Sequence, residues 1–234
     1  MKSTVVAAVV AGLGVVVAGT AGAAVADAAP PGVPPPVFQP SAGLPVQALL
    51  AGPQLVAHIV DAPAMSVVTT RTMSDQSATV DPARCVSAWV PADPQSYAGT
   101  GYTGAATQVL ADGNSADPAH LITQAVVSFP SAHAAGAYVE KAAHDWIDCA
   151  NRDITFTPTS GQGQQWHFGK PAARRGIITL PQLAATGEAS CQRAIGARDN
   201  LVFDVLACGY RGADPTDQAA AIIAVTAANM PQSI

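Results

Sequence analysis

Basic residues are scarce in this 234-residue chain, and their scarcity excludes one class of ligand. The sequence has 11 Lys and Arg against 16 Asp and Glu, which gives a formal net charge of −5. Arg174 and Arg175 form the one pair of adjacent cations. Nucleic-acid binding needs a basic patch that neutralises phosphates. We therefore expect no nucleic-acid partner.

Signature motifs of several enzyme classes are also missing from the part of the chain after the first 26 residues. Neither the G-x-S-x-G elbow of hydrolases, the H-E-x-x-H zinc motif nor the G-x-x-x-x-G-K-[ST] phosphate loop is present. His133 and His144 share a helix face, but at 1.5 Å per residue they lie too far apart to bind one ion. We predict no catalytic residue, no metal ligand and no cofactor.

No cysteine precedes Cys85, so the N-terminal cysteine that anchors a bacterial lipoprotein is absent. What the N-terminus does have is Lys2, an uncharged stretch over residues 3–26 and an apolar run over residues 5–18. This pattern predicts a signal peptide over residues 1–26, cleaved after Ala24-Val25-Ala26. An uncleaved anchor is the alternative, although the run is shorter than the ~20 residues of a spanning helix.

Residues 27–44 are rich in proline, which favours an extended linker over packing. A docking ligand is the alternative use of such a run. Residues 45–234 have the length of one domain with a core of its own. They contain no later stretch that is apolar enough to span a bilayer. We therefore expect a protein that is secreted, or periplasmic and associated with the cell wall, and that is not a lipoprotein.

Four cysteines, an even number in an exported chain, predict two disulfides. Metal binding is the competing use, but no two cysteines have the C-x2-C spacing. Residues 188–197 and 201–208 are typical of two strands joined by a turn at positions 199 and 200. Cys191 and Cys208 are then equidistant from the turn and close enough to bond. This pairing leaves Cys85 with Cys149.

The other segments alternate between strand and helix patterns. Strands are predicted at residues 66–70, 153–156, 164–168 and 176–183, and a hairpin at residues 102–110 and 121–129. Ser131 caps the clearest helix, whose buried stripe consists of Ala135, Val139, Ala142, Trp146 and Cys149. The sum predicts an α+β fold, a mostly antiparallel sheet with helices packed on it.

Two further helix starts and an ion pair follow from local patterns. Asp81-Pro82 and Asp214-Pro215 each combine an N-cap aspartate with a proline at the first helical position. The first of these places Cys85 in the opening turns of a helix. Arg193 and Asp204 fall on the same side of the 188–208 hairpin, which predicts a diagonal ion pair.

One group of residues combines an aromatic ring, an imidazole and three cations within a predicted strand and loop. Such a group can hold an anionic or sugar-like ligand by stacking and ion pairing. The alternative is a core tryptophan beside a solvated loop. The candidate ligand-binding residues are Trp166, His167, Lys170, Arg174 and Arg175.

Three segments carry a resemblance to a known family: residues 146–149 (WIDC), 191–195 (CQRAI) and 200–208 (NLVFDVLAC), followed by an Ala-rich terminal helix. Together with the spacing of all four cysteines, they resemble the PknH-like extracellular sensor domain of mycobacteria. The resemblance implies a twisted antiparallel sheet with flanking helices, a broad cleft and the same two disulfides. It also implies a ligand-sensing role outside the cytoplasm.

The sequence departs from the kinase members of that family because it has neither a kinase domain nor a transmembrane helix between domains. We therefore expect a non-enzymatic binding or sensor module of the cell envelope. Its partner would be a small molecule, glycan, lipid or protein of the envelope, not identified further. An envelope hydrolase without a recognisable motif and a structural wall protein are the alternatives.

Overall fold

The structure is a computed structural model that describes residues 45–113, 117–158 and 161–230. The predicted signal peptide (1–26) and linker (27–44) lie outside the described residues. The helices are α1 (Pro53–Val60), α2 (Val86–Trp89), α3 (Pro94–Tyr97), α4 (Ala132–Asp148) and α5 (Gln218–Ala228). The strands are β1 (Ser66–Arg71), β2 (Val80–Asp81), β3 (Gly104–Ala111), β4 (His120–Ser128), β5 (Arg152–Phe156), β6 (Gln164–Phe168), β7 (Ala172–Arg174), β8 (Ile177–Ala184), β9 (Ala189–Arg198) and β10 (Leu201–Tyr210).

The strands form one ten-stranded sheet in which neighbouring strands are antiparallel. Their order is β1-β3-β4-β10-β9-β8-β6-β5-β2, and β7 pairs with β8 beside this path. The predicted α+β class with a mostly antiparallel sheet is confirmed. Among the described residues, none of the helices is long and apolar enough to cross a membrane.

Strand β10 lies at the centre of the sheet and separates two hydrophobic cores. Val202 and Leu206 belong to the core beneath α2 and α4, whereas Phe203 and Val205 belong to the core beneath α1 and α5. This alternation follows from the period of two in a strand. Because helices cover both faces, β10 is buried along nearly its whole length.

The two predicted disulfides are present, Cys85 with Cys149 and Cys191 with Cys208. In the β9–β10 hairpin, Cys191 is the direct cross-strand partner of Cys208, as the distance from the turn predicted. Cys149 directly follows α4 and is buried. The longer disulfide therefore joins the end of α4 to the segment that leads into α2.

Helix α4 matches its sequence pattern closely. The Ser131 Oγ accepts a hydrogen bond of 3.1 Å from the backbone N–H of Ala134, and the predicted stripe is buried. Both aspartate-proline predictions, in contrast, were wrong about where the helix starts. Pro82 has extended backbone, so a 3-10 turn begins at Ala83 and α2 only at Val86. Asp214 instead accepts a bond from the N–H of Thr216, and α5 begins at Gln218.

Candidate functional site

The predicted ligand-binding residues on β6 point to opposite faces of the sheet. The side chain of Trp166 is buried, with the residue 5% exposed, and packs edge-on against Trp89 at a centroid distance of 5.1 Å. His167, its neighbour in sequence, is exposed on the other face. Trp166 is therefore a core residue and does not present a stacking surface to a ligand.

His167 has a carboxylate as its partner. Its Nδ1 lies 2.8 Å from Oδ1 of Asp153, the direct cross-strand partner on β5. Both side chains are exposed, so the pair contributes little to stability. Among the hydrogen bonds of the described residues, neither this histidine nor His120 is bonded to a hydroxyl or thiol that a catalytic base would activate.

The three predicted cations follow an interruption in the sheet. After β6, the chain leaves the sheet at Gly169 and Lys170 and rejoins it as strand β7. A two-residue turn at Arg175 and Gly176 then connects β7 to β8. Both turn residues have positive φ (52° and 77°), as a tight hairpin requires. Arg174 and Arg175 are exposed at this turn. Lys170 lies at the mouth of a groove.

The groove has a volume of about 410 Å³ and is bounded on one side by the C-terminal part of α4. Ala143, Ile147 and Ala150 form this wall together with Asn151. Ile147 lies outside the buried stripe of α4 and is 60% exposed, more than any other large apolar side chain among the described residues. Ile147 therefore presents exposed apolar surface beside a concavity. Ligand sites commonly combine these two features.

The opposite wall comes from the β7–β8 hairpin. Pro171, Ala172 and Ala173 line the groove at the start of the hairpin, and Ile178 lines it from β8. Strand β7 pairs with β8 on one side, but β5 pairs with β6 and not with β7. The other edge of β7 is therefore open toward α4. The groove therefore exists because the strand is interrupted at Gly169 and Lys170.

The hairpin side of the groove carries positive charge, whereas exposed Asp148 follows Ile147 on the α4 side. Lys170 is the one charged residue among those that line it, and Asn151 is the one uncharged polar residue. The sequence has no Asp or Glu from residue 154 to residue 187, whereas Lys170, Arg174 and Arg175 all lie in this stretch. In a chain with a net charge of −5, this is a local reversal of sign.

A second concavity, of about 270 Å³, lies between α4 and the chain around α2 and α3. Its lining is polar and includes Arg84, Lys141 and Asp145. Lys141 Nζ and Asp145 Oδ2 are 2.6 Å apart and satisfy each other. The Oγ atoms of Ser87 and Ser96 have no hydrogen-bond partner, but they are sealed from solvent. A ligand in this concavity would not reach them.

A buried network lies between these helices and the β9–β10 hairpin. Arg193 forms the predicted ion pair with Asp204, and their side chains are only 1% and 2% exposed. The guanidinium also donates to the carbonyls of Ser87 (3.0 Å) and Val90 (2.8 Å) and lies 5.0 Å from the ring centroid of Trp146. Arg193 thereby anchors the segment around α2 to the sheet.

Asp204 completes this network from the other strand. Its Oδ2 accepts hydrogen bonds from the backbone N–H of Ala92 (2.9 Å) and the hydroxyl of Tyr97 (3.0 Å). Burial, and then the charge of Asp204, raise the pKa of Tyr97 well above its ordinary value of 10.0. Tyr97 therefore stays protonated and remains a donor. The network is internal and serves the fold.

Sequence reasoning passed over one glycine motif. Gly99, Gly101 and Gly104 form a G-x-G-x-x-G run. A dinucleotide fingerprint needs this run between a strand and a following helix, but here it lies between α3 and β3. The run therefore does not indicate a dinucleotide site.

Sequence reasoning also missed the α4 wall of the groove. Ile147 could have indicated this wall, because it is an apolar residue outside the buried stripe of α4. Of the five predicted ligand-binding residues, Lys170 alone lines the groove. Arg174 and Arg175 lie a few residues beyond it, at the tip of the hairpin that forms its wall.

Comparisons with known proteins give a consistent relationship. The profile of the PknH-like extracellular domain matches residues 42–229. The serine/threonine-protein kinase PknH of Mycobacterium tuberculosis (strain ATCC 25618 / H37Rv) is 34% identical over 196 residues, which are 83% of this chain and 31% of the kinase. PknH of Mycobacterium bovis is 33% identical over 211 residues, 89% of this chain and 35% of that protein. This chain thus spans about a third of the length of these curated relatives.

A solved structure is similar over most of the domain. The crystal structure of the extracellular domain of PknH from Mycobacterium tuberculosis superposes with a TM-score of 0.72 at 31% sequence identity. The match covers 78% of this chain and 93% of that one. Sequence and structure therefore agree on the same relationship.

Proposed function

Because this chain belongs to the family of PknH-like extracellular domains, we propose that it is a non-enzymatic, sensor-type domain that binds a ligand of the cell envelope. The observation that carries this proposal is the groove between α4 and the β7–β8 hairpin. Its volume of about 410 Å³ lies in the range of known ligand pockets, about 300–1,000 Å³. An apolar lining with a few polar groups is also typical of such pockets.

A binding role explains features that folding alone does not require. Ile147 would be expected to be polar if its only surroundings were water, since the neighbouring exposed positions of α4 are Asp148 and His144. Lys170 sits at the point where the sheet is interrupted and faces the same concavity. A ligand that covers Ile147 would bury apolar surface, which is favourable by about 25 cal/mol per Å².

Export is part of the same proposal. We infer that residues 1–26 are a cleaved signal peptide, that residues 27–44 hold the domain away from a surface, and that the protein is secreted or wall-associated without a lipid anchor. Edman sequencing and intact mass of the protein recovered outside the cell test this directly. A mature N-terminus close to Asp27 is expected, and recovery of an intact N-terminus would contradict cleavage.

Ligand binding is testable by thermal stability. The protein recovered outside the cell, in its oxidised form, is heated with fractionated envelope lipids, glycans and peptides. A ligand at 100 times its dissociation constant adds about 2.7 kcal/mol to the free energy of unfolding. We expect a shift with at least one fraction, and its loss in Ile147→Asp.

The matched control is Val68→Asp, which changes another exposed apolar side chain, on β1, far along the sheet order from β7 and β8. This variant is expected to keep the shift. If no fraction stabilises the protein, a ligand-binding role loses its support and a structural wall role gains it. If the shift persists in Ile147→Asp, the ligand binds elsewhere.

The hydrolase alternative has its own test. Broad screening of ester, amide and glycoside substrates is expected to give no turnover, because the His167–Asp153 pair has no bonded nucleophile among the described residues. Turnover that is abolished by His167→Ala or His144→Ala would contradict the non-enzymatic proposal.

A further inference from the structure

The chemistry of the groove narrows the class of ligand, an inference that rests on the proposed function. We propose that the groove binds one molecule of a single-chain anionic amphiphile, such as a free fatty acid. Its alkyl chain lies against Ile147 and Ile178, and its head group lies opposite Lys170.

The apolar half of the proposal rests on the walls. Seven of the nine lining residues are Ala, Ile or Pro, and they come from both sides of the groove. Ile147 on α4 and Ile178 on β8 are the two largest apolar side chains among them. The small alanines leave room between the walls for a narrow chain.

The charged half of the proposal rests on Lys170. It lines the groove, whereas no Asp or Glu does. None of the ion pairs formed by the described residues involves Lys170, so its ammonium group has no carboxylate partner there. Arg174 and Arg175 extend the positive potential along the hairpin, and Asn151 adds a side-chain amide that can donate to the head group.

Other ligand classes fit this lining less well. Sugar-binding sites present aromatic rings for stacking, but no aromatic residue lines the groove. A cationic amphiphile would meet Lys170 with like charge and no acidic residue in compensation. In a zwitterionic head group, Lys170 would attract the anionic part and repel the cationic part, so the net electrostatic gain would be small. An anionic head with an apolar tail satisfies both halves of the groove.

The test measures the binding of decanoate and decyltrimethylammonium to the oxidised protein recovered outside the cell by titration calorimetry, each below its critical micelle concentration. We expect decanoate to bind at least ten times more tightly than the cation. Lys170→Gln should weaken decanoate about tenfold, the worth of a charge-assisted contact. Each methylene added from octanoate to decanoate should tighten binding by up to about fourfold.

Matched controls separate the groove from general effects on the protein. Lys141→Gln removes the lysine of α4, which lies outside the groove, and should leave decanoate binding unchanged. Ile147→Asp should abolish binding, whereas Val68→Asp should not. Far-ultraviolet circular dichroism checks that each variant is folded.

The possible outcomes distinguish this inference from the proposed function. Equal binding of the anionic and cationic probes, lost in both cases with Ile147→Asp, overturns the anionic head group and leaves a ligand-binding groove. Decanoate binding that survives both Lys170→Gln and Ile147→Asp overturns the location. No decanoate binding, combined with a thermal shift by an envelope fraction, overturns the ligand class but not the sensor role.

A bilayer source of the same chemistry is tested separately. Vesicles of anionic phosphatidylglycerol are mixed with the protein and sedimented. Under the proposal, the protein binds free decanoate and stays in the supernatant when the vesicles sediment. Cosedimentation without binding of free decanoate overturns the single-chain ligand and indicates a membrane surface.

Discussion

The buried pair Arg193 and Asp204 offers the sharpest test of how this fold is held together. In Asp204→Ala, the guanidinium of Arg193 keeps its carbonyl acceptors but loses its counter-charge. The N–H of Ala92 and the hydroxyl of Tyr97 lose their acceptor as well. The variant thus leaves one charge and two donors unpaired in a site that is almost closed to water.

The expected loss is large because the charge that remains stays buried. Removing one partner of a buried ion pair costs about 3–5 kcal/mol. Total stabilities of domains are typically about 5–15 kcal/mol, so the variant would lose a large fraction of its stability. Arg193→Met should be similarly destabilised. The double variant should lose clearly less than the sum of the two, because no unpaired charge remains.

Urea unfolding of the oxidised protein at pH 7, followed by tryptophan fluorescence, measures these values. The control is the exposed pair Lys141 and Asp145 on α4, whose side chains are 50% and 34% exposed. Lys141→Ala should lose less than about 1 kcal/mol. If Asp204→Ala loses no more than this control, or if the effects of Arg193→Met and Asp204→Ala simply add, the argument from burial is refuted.

The remaining predictions concern the disulfides, two glycines and acid stability. Serine replacement of both cysteines in the 64-residue loop should cost about 4 kcal/mol, and in the 17-residue loop about 3 kcal/mol, measured by urea unfolding; the reverse order would contradict the loop-length argument. Gly209→Ala should cost about 1–3 kcal/mol, because the added methyl group collides with the carbonyl of Ala213. Gly136→Ala in α4, where nothing lies within 4 Å, should instead stabilise by about 0.5–1 kcal/mol. Burial alone would raise the pKa of Asp112, but hydrogen bonds from His120 and Ala119 lower it below its ordinary value of 3.8. Its stabilising effect is therefore present above about pH 4 and lost as pH falls further, so the gap in melting temperature between wild type and Asp112→Asn should narrow from pH 5 to pH 2.5; a constant gap would contradict this.

The local parts of this fold could be predicted from the sequence because they depend on short-range patterns. The β9–β10 hairpin follows from a turn between two β-rich runs, and equal distances from that turn placed Cys191 opposite Cys208. Helix α4 follows from a serine cap and a stripe of period 3.6. In each case the information lies within about 20 residues of sequence.

The predicted helix starts at Asp81 and Asp214 were wrong because an aspartate also forms other local structures. Asp81 pairs with Thr155 on β5, and this tertiary contact outweighs its preference for capping. Asp214 accepts a hydrogen bond from its own local turn, two residues on. Asp93, which also precedes a proline, does cap a helix, since its side chain accepts a hydrogen bond from the N–H of Gln95 in α3. The aspartate-proline pattern alone therefore does not determine whether a helix starts.

The candidate site could be predicted only in part because its walls are distant in sequence. Ile147 and Ile178 line the same groove because α4 ends beside an interrupted strand, which no local pattern signals. Trp166 was wrongly grouped with the cations, although strand alternation places it on the opposite face from His167. Lys170, predicted to bind a ligand, does line the groove, and its ligand-binding role stays a prediction.

The longer disulfide has a consequence for when the wall of the groove is fixed in place. Cys149 is followed directly by Ala150 and Asn151, which line the groove, and its sulfur is bonded to Cys85 beside α2. Structural disulfides of this kind form and persist in oxidising compartments and are rare in the reducing cytosol. In a chain still inside the cell, the α4 wall of the groove would therefore lack its covalent bond to the segment that leads into α2. Under the proposed binding role, we expect the groove to bind its ligand only after export, so that a ligand present on both sides of the membrane is bound on the outer side alone.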